Sequence, residues 1–140
     1  MARKTLATYD ASRVIVTLGG YVLDGFAKGT FIKVTTPTRY TYEAGVEAGA
    51  RAKNVDVSGQ VELTFLQTSD AHGKLHTLLT SDRGGNGAVP LIIKDFSGTF
   101  LMTATTAWVE KEPDYEMGDT ISSWSWTIAY DSAEIYAAGN

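Results

Sequence analysis

The sequence predicts a mainly β fold: two packed antiparallel sheets, as a sandwich or a partly closed barrel, with one flanking α-helix. Three observations predict it. Residues 57–66 alternate, with Val57, Gly59, Val61, Leu63 and Phe65 on one side and Ser58, Gln60, Glu62 and Thr64 on the other. That is the period of a strand with one dry and one wet face. Residues 123–130 alternate in the same way, Trp124, Trp126, Ile128 and Tyr130 against Ser123, Ser125, Thr127 and Ala129. Between Thr68 and Asp82 the spacing turns helical, with Leu75, Leu78 and Leu79 as an apolar stripe behind the cap candidates Ser69 and Asp70.

The remaining elements follow in chain order. Arg13 to Leu18 is a short strand rich in branched residues, and Gly19-Gly20 turns it back into Tyr21, Val22 and Leu23 as a hairpin. Phe31 to Thr35 and Arg39 to Glu43 are extended pieces separated by Pro37, whose missing donor favours a break or a sheet edge; their pairing stays open. Ala44 to Asn54 is mostly Gly, Ala and charge, and reads as part of a long exposed loop at about 44–56 on an otherwise single domain covering 1–140. Loops of that length usually have a task, which makes this one a candidate contact arm. Gly84 to Gly87 connects the helix to a buried strand over Val89 to Phe96, and Ser97-Gly98 turns into a long strand from Thr99 to Val109. On that strand Phe100, Met102, Ala104 and Trp108 share one face, and Thr103, Thr105 and Val109 the other.

Composition excludes several classes. A chain of 140 residues with 44% hydrophobic and 20% charged residues suits one globular core, which at this size buries about two thirds of the unfolded surface. The net charge of -4 opposes charge-driven binding to nucleic-acid backbones. Cysteine is absent, so neither disulfides nor thiolate metal sites are available. No apolar run is long enough to span a bilayer, and no membrane partner is expected.

The search for chemistry finds no seat for catalysis, and the chain is expected not to be an enzyme and to need no cofactor. His72 and His76 have the spacing of two ligands on one helix face, but Gly73 stands where a zinc protease places its Glu, and no third ligand is suggested. Two ordinary surface histidines are the simpler reading. The segment with Glu110, Glu112, Asp114, Glu116 and Asp119 fails the EF-hand order at Gly118 and reads as a solvated loop. Gly84 to Gly87 lacks the Gly-Lys-Ser/Thr ending of a phosphate loop. Trp108, Trp124, Trp126 and Tyr130 could stack on sugar rings, yet their alternation with Ile128 is how a core strand looks.

The order of short motifs carries a resemblance. Gly25, Phe26, Ala27 and Gly29 come first, then Arg51 and Asn54 ahead of Ser58-Gly59. Leu66, Gln67, Thr68 and Ser69 follow, with Leu75 in the helix. Lys94, Asp95, Ser97, Gly98 and Thr99 come next, then Ala107, Trp108, Lys111, Pro113 and Asp114, and finally Trp124 and Trp126. In that order the chain resembles the tail tube protein family of contractile-tailed bacteriophages, over roughly Arg13 to Tyr130. The resemblance implies a structural protein whose hexameric rings stack into a hollow inner tail tube. Sheath protein, tape measure protein and baseplate would be its partners, and phage DNA would pass through the lumen without specific binding. It implies a place in the tail of a virion, assembled in the host bacterial cytoplasm. A related tube or ring component of a secretion system or phage baseplate, or a tail-terminating ring, would share the fold. A monomeric carbohydrate-binding β-sandwich module is the alternative of another class.

A conduit for DNA should be hydrophilic, mildly negative and free of Lys and Arg clusters. Ser58, Gln60, Glu62 and Thr64 would suit such a lining, and Ser123, Ser125 and Thr127 are a second candidate set. Glu43, Glu47, Arg51, Lys53 and Asn54 are the candidates for contact with a neighbouring subunit or ring.

Overall fold

A computed structural model describes residues 8–82 and 88–137. The strands are β1 (Val14–Leu18), β2 (Tyr21–Leu23), β3 (Ile32–Thr35), β4 (Tyr40–Ala44), β5 (Gly49–Lys53) and β6 (Gly59–Leu66). After the helix α1 (Ala71–Ser81) come β7 (Val89–Asp95), β8 (Leu101–Lys111), β9 (Ser123–Tyr130) and β10 (Glu134–Tyr136). They form a mainly β fold with two antiparallel sheets. The large sheet has the order β2-β1-β7-β8-β9-β6-β3, with β10 also paired to β8, and β4 and β5 form a separate two-stranded sheet. The stretch expected to be a loop over Ala44 to Asn54 is therefore half of a hairpin.

The two layers of the core come from one sheet that shares β8. The first part of β8 pairs with β7 and β10, and its last part pairs with β9. Val16, Leu18, Leu91, Ile93 and Met102 from one half, and Val61, Leu63, Phe65, Trp126 and Ile128 from the other, belong to a single buried cluster. Each large apolar side chain so buried contributes roughly 1.5–3 kcal/mol against solvent exposure. The sheet curls without closing, because β3 and the β1/β7 side are separated by an open cleft lined by Val14, Phe31, Ile32, Val34 and Phe100.

Local chemistry explains the turns. Gly19 and Gly20 have φ of 59° and 86°, the two left-handed positions that a tight two-residue hairpin requires. In the helix, Asp70 occupies the cap position but makes no side-chain cap bond. Ser69 Oγ does that work, accepting from the Ala71 N–H at 3.1 Å and donating to the Asp24 carbonyl at 2.6 Å. Leu75 and Leu78 are buried beneath the helix, as the apolar stripe predicts. Gly84 to Gly87 lies outside the described residues.

The alternation expected along Thr99 to Val109 breaks in the middle. Opposite the step from Val89 to Leu91 the partner strand advances from Ala104 to Ala107, an added residue on β8. This bulge reverses the faces: Met102 and Ala104 are buried before it, Ala107 and Val109 after it, and Trp108 turns outward. Val57, read as the first core residue of β6, is exposed, since the strand begins at Gly59. A short tenth strand, β10, extends the line of β9 along β8 and carries too little alternation to be read from sequence.

Candidate functional site

The two candidate lining sets lie on the same outer face, side by side. In the β6–β9 register, Glu62 faces Thr127, Thr64 faces Ser125 and Gln60 faces Ala129. The neighbours extend the rows, with Lys33 of β3 opposite Glu62 and Lys111 of β8 opposite Thr127. Thr64 and Ser125 share a hydroxyl–hydroxyl bond of 2.8 Å, and the Gln60 amide donates to the Glu110 carboxylate at 2.8 Å. The result is a wall of polar groups, with one lysine at each end of the Glu62–Thr127 row. Lys33 and Lys111 were outside the sequence reading because strand pairing, not alternation, brings them to this face.

Ser58 departs from the expected set. It sits ahead of β6 in a turn in which its N–H and hydroxyl donate to the Asp56 carboxylate at 3.0 and 2.7 Å. Those two bonds hold the Asp56 carboxyl below its ordinary pKa. Gly59 follows because a Cβ there would overlap the Tyr130 hydroxyl and the Thr35 carbonyl.

At this end of β6 the chain rises into the β4–β5 hairpin. Tyr40, Thr41 and Tyr42 favour extended backbone, and the Gly45 N–H closes the turn on the Ala48 carbonyl at 2.9 Å. A Cβ at Gly49 would overlap the Tyr42 ring, so glycine lets that ring lie across the partner strand. Asn54 fixes the base: its N–H donates to the Arg39 carbonyl at 2.7 Å and its amide to the Thr38 carbonyl at 2.8 Å. The other contact candidates, Glu43, Glu47, Arg51 and Lys53, are all exposed on the ribbon, and Arg51 lies 4.3 Å from the centre of the Tyr40 ring.

At the opposite end of β9 the segment after β8 folds back over the wall. Trp124 Nε1 donates to the Glu116 carbonyl at 3.0 Å, and the Tyr115 ring meets Trp124 edge-on at 5.0 Å. Partial burial, with the Glu112 carboxylate accepting its hydroxyl proton, raises the Tyr115 pKa.

The two histidines separate. His76 is exposed, but His72 is not an ordinary surface residue: its Nδ1 accepts from the buried Trp126 indole at 2.9 Å, and its Nε2 pairs with the Leu66 carbonyl at 2.8 Å. Both ring nitrogens are used to join helix to sheet. Among the described residues no group of three His, Cys, Asp or Glu could hold a metal. Of the four aromatic candidates, Trp126 and Tyr130 are buried, Trp124 is packed between His72 and Tyr115, and Trp108 is half-buried. No described helix is long and apolar enough to cross a membrane.

No protein-family model and no curated protein matches this sequence. Solved structures do match in fold. The anti-feeding prophage tube-terminating cap aligns over 99% of this chain and 97% of its own, at TM-score 0.58 and 11% identity. The sheath/tube terminator of the extracellular contractile injection system PVC, in its extended state, aligns over 94% and 99%, at TM-score 0.64 and 13% identity. The PVC sheath-tube complex in the extended state aligns over 94% and 93%, at TM-score 0.63 and 12% identity. The chain thus has the fold of tube, cap and terminator components of contractile injection systems.

Proposed function

We propose that this chain is a structural subunit of the tube of a contractile tail or injection apparatus, assembling as hexameric rings that stack into a hollow conduit. The observation that carries the reading is the fold match over nearly the whole of both chains in three components of such assemblies. The reading gives the chain no catalytic role. Its partners are copies of itself and a surrounding sheath, with tape measure protein and baseplate at the assembly level, and its place is the tail of a virion or tail-like particle.

In this reading the wall of Gln60, Glu62, Thr64, Ser123, Ser125 and Thr127 lines the lumen. Its side chains are short and polar and lack a basic cluster, so a passing polyanion finds no row of cations to hold it. The hairpin, whose strand residues are all exposed, reaches a neighbouring subunit or ring. A second reading, a terminator or cap ring, is favoured by two of the three fold matches.

Negative-stain electron microscopy of the purified chain tests both. Stacked rings or filaments support the tube, single rings that do not stack support the terminator, and monomers alone at high concentration oppose both. In a phage or particle that carries the gene, Gln60→Lys with Glu62→Lys should slow DNA ejection; unchanged kinetics would remove the lining assignment. Full-length tubes from a chain lacking residues 46–52 would remove the hairpin from ring contact.

A further inference from the structure

The hairpin has a face whose partner is absent from its own subunit. The β4–β5 register places Tyr40 opposite Lys53 and Tyr42 opposite Arg51, so two aromatic rings and two cations share one side of the ribbon. Every strand residue of the ribbon is exposed. An isolated two-stranded hairpin is marginally stable in water, and among the described residues neither Arg51 nor Lys53 is in an ion pair. The face is therefore basic and aromatic, open at Tyr42 and Arg51 and bordering a cleft against Tyr130, Ala133 and Ile135 at Tyr40 and Lys53.

The complementary charge runs along β9 away from the hairpin, from Glu110 beside Gln60 to Glu116 beside Trp124. The segment 110–119 carries five carboxylates and one lysine in a chain of net charge -4. Lys111 pairs with Asp114 at 3.7 Å, Glu110 accepts from Gln60 and Glu112 from Tyr115. Glu116 and Asp119 keep side chains without a described partner. The segment is held in place rather than loose, since Trp124 binds the Glu116 carbonyl and meets the Tyr115 ring edge-on.

Placement makes the complementarity directional. The hairpin leaves the body beside Thr36, Pro37 and Tyr130, whereas the far part of the acidic segment, with Asp114 and Glu116, lies toward Ser123 and Ser125. These are opposite ends of β9, a strand of eight residues and so roughly 26 Å long. Two unlike surfaces at opposite ends give a head-to-tail contact that repeats from copy to copy.

We propose that the Tyr40, Tyr42, Arg51 and Lys53 face is a docking surface for the 110–119 segment of a second copy of this chain. This rests on the tube reading and names the pair of surfaces that stacks one ring on the next. Aromatic rings would cover the contact while the cations meet Glu116 and Asp119, fixing register and direction of growth.

Charge reversal tests it on the full chain. Arg51→Glu with Lys53→Glu, and separately Glu116→Lys with Asp119→Lys, should each lower the assembled fraction in sedimentation about tenfold or more, on the scale of close charge pairs across interfaces. All four positions are exposed or outside the core, and unchanged thermal melting would verify folding. An equimolar mixture of the two variants should restore assembly, because each then presents the charge that the other lacks. Singly reversed variants that assemble like the unaltered chain would overturn the docking pair and leave the tube reading standing. An unaltered chain that forms neither rings nor filaments would overturn both. As a second measurement, Lys53→Cys with Glu116→Cys in this cysteine-free chain should give a ladder of disulfide-linked oligomers on oxidation of the assembled protein. Filaments that yield no ladder would also overturn the pairing.

Discussion

The pair β6–β9 and the pair β4–β5 are both antiparallel, yet they are held by different physics. In β6–β9 every second residue is buried: Val61, Leu63 and Phe65 against Trp126, Ile128 and Tyr130. The ribbon has five residue pairs and buries none of its strand side chains. Backbone pairing alone does not stabilise a strand pair in water. The first pair is the fold, and the second is an extension whose side chains are free for another molecule.

Substitutions should separate the two regions by their effect on stability. The largest loss is expected for Trp126→Ala, which empties a fully buried site and removes the donor to His72. Large-to-small changes of this kind cost about 3–5 kcal/mol, readable as a shift in urea midpoint. His72→Ala should cost about 1–3 kcal/mol, because the buried Trp126 N–H then lacks an acceptor. His76→Ala, on the same helix and exposed, should leave the midpoint within about 0.5 kcal/mol. Equal effects of the two histidine changes would deny His72 its role as the helix-to-sheet clasp.

The junction of the two regions should respond to acid. Asp56 accepts both bonds from Ser58, and its pKa is lowered by them. A lowered carboxylate pKa gives stability that is complete above the unfolded value, near 3.9, and is lost as pH falls through the lower folded value. In a carboxyl-detected NMR titration the Asp56 midpoint should lie below 3.8. Ser58→Ala should move it back toward the ordinary value, and a midpoint that ignores the substitution would remove the turn as the cause.

Much of this architecture was legible in sequence where burial imposes a period. The alternation of β6 and β9, the Leu75 and Leu78 stripe of α1 and the Gly19-Gly20 turn all report local geometry under a core constraint. Arg39 to Glu43 read as extended, but the second strand of the ribbon escaped because it has no buried face to write a pattern: Gly49, Ala50 and Ala52 are poor strand formers. The β8 bulge escaped because an added residue flips the faces without a sequence marker, which misplaced Trp108. The merging of the two polar sets into one wall needed register, a non-local quantity. His72 looked ordinary because its partners, Trp126 and Leu66, are distant or backbone.

The smallest effect on stability is expected within the ribbon itself. Tyr42 is 70% exposed, and its ring rests on Gly49 of the paired strand rather than on the body of the protein. Tyr42→Ala removes that cover and some extended-strand preference, so unfolding free energy should change by no more than about 0.5 kcal/mol. Trp126→Ala, by contrast, strikes the one cluster that both layers share. A urea midpoint that fell as far for Tyr42→Ala as for Trp126→Ala would mean that the ribbon folds cooperatively with the core, and the division between fold and extension would fail. A midpoint that holds would show that the Tyr42 ring adds little to the fold of its own subunit, where it lies over a glycine.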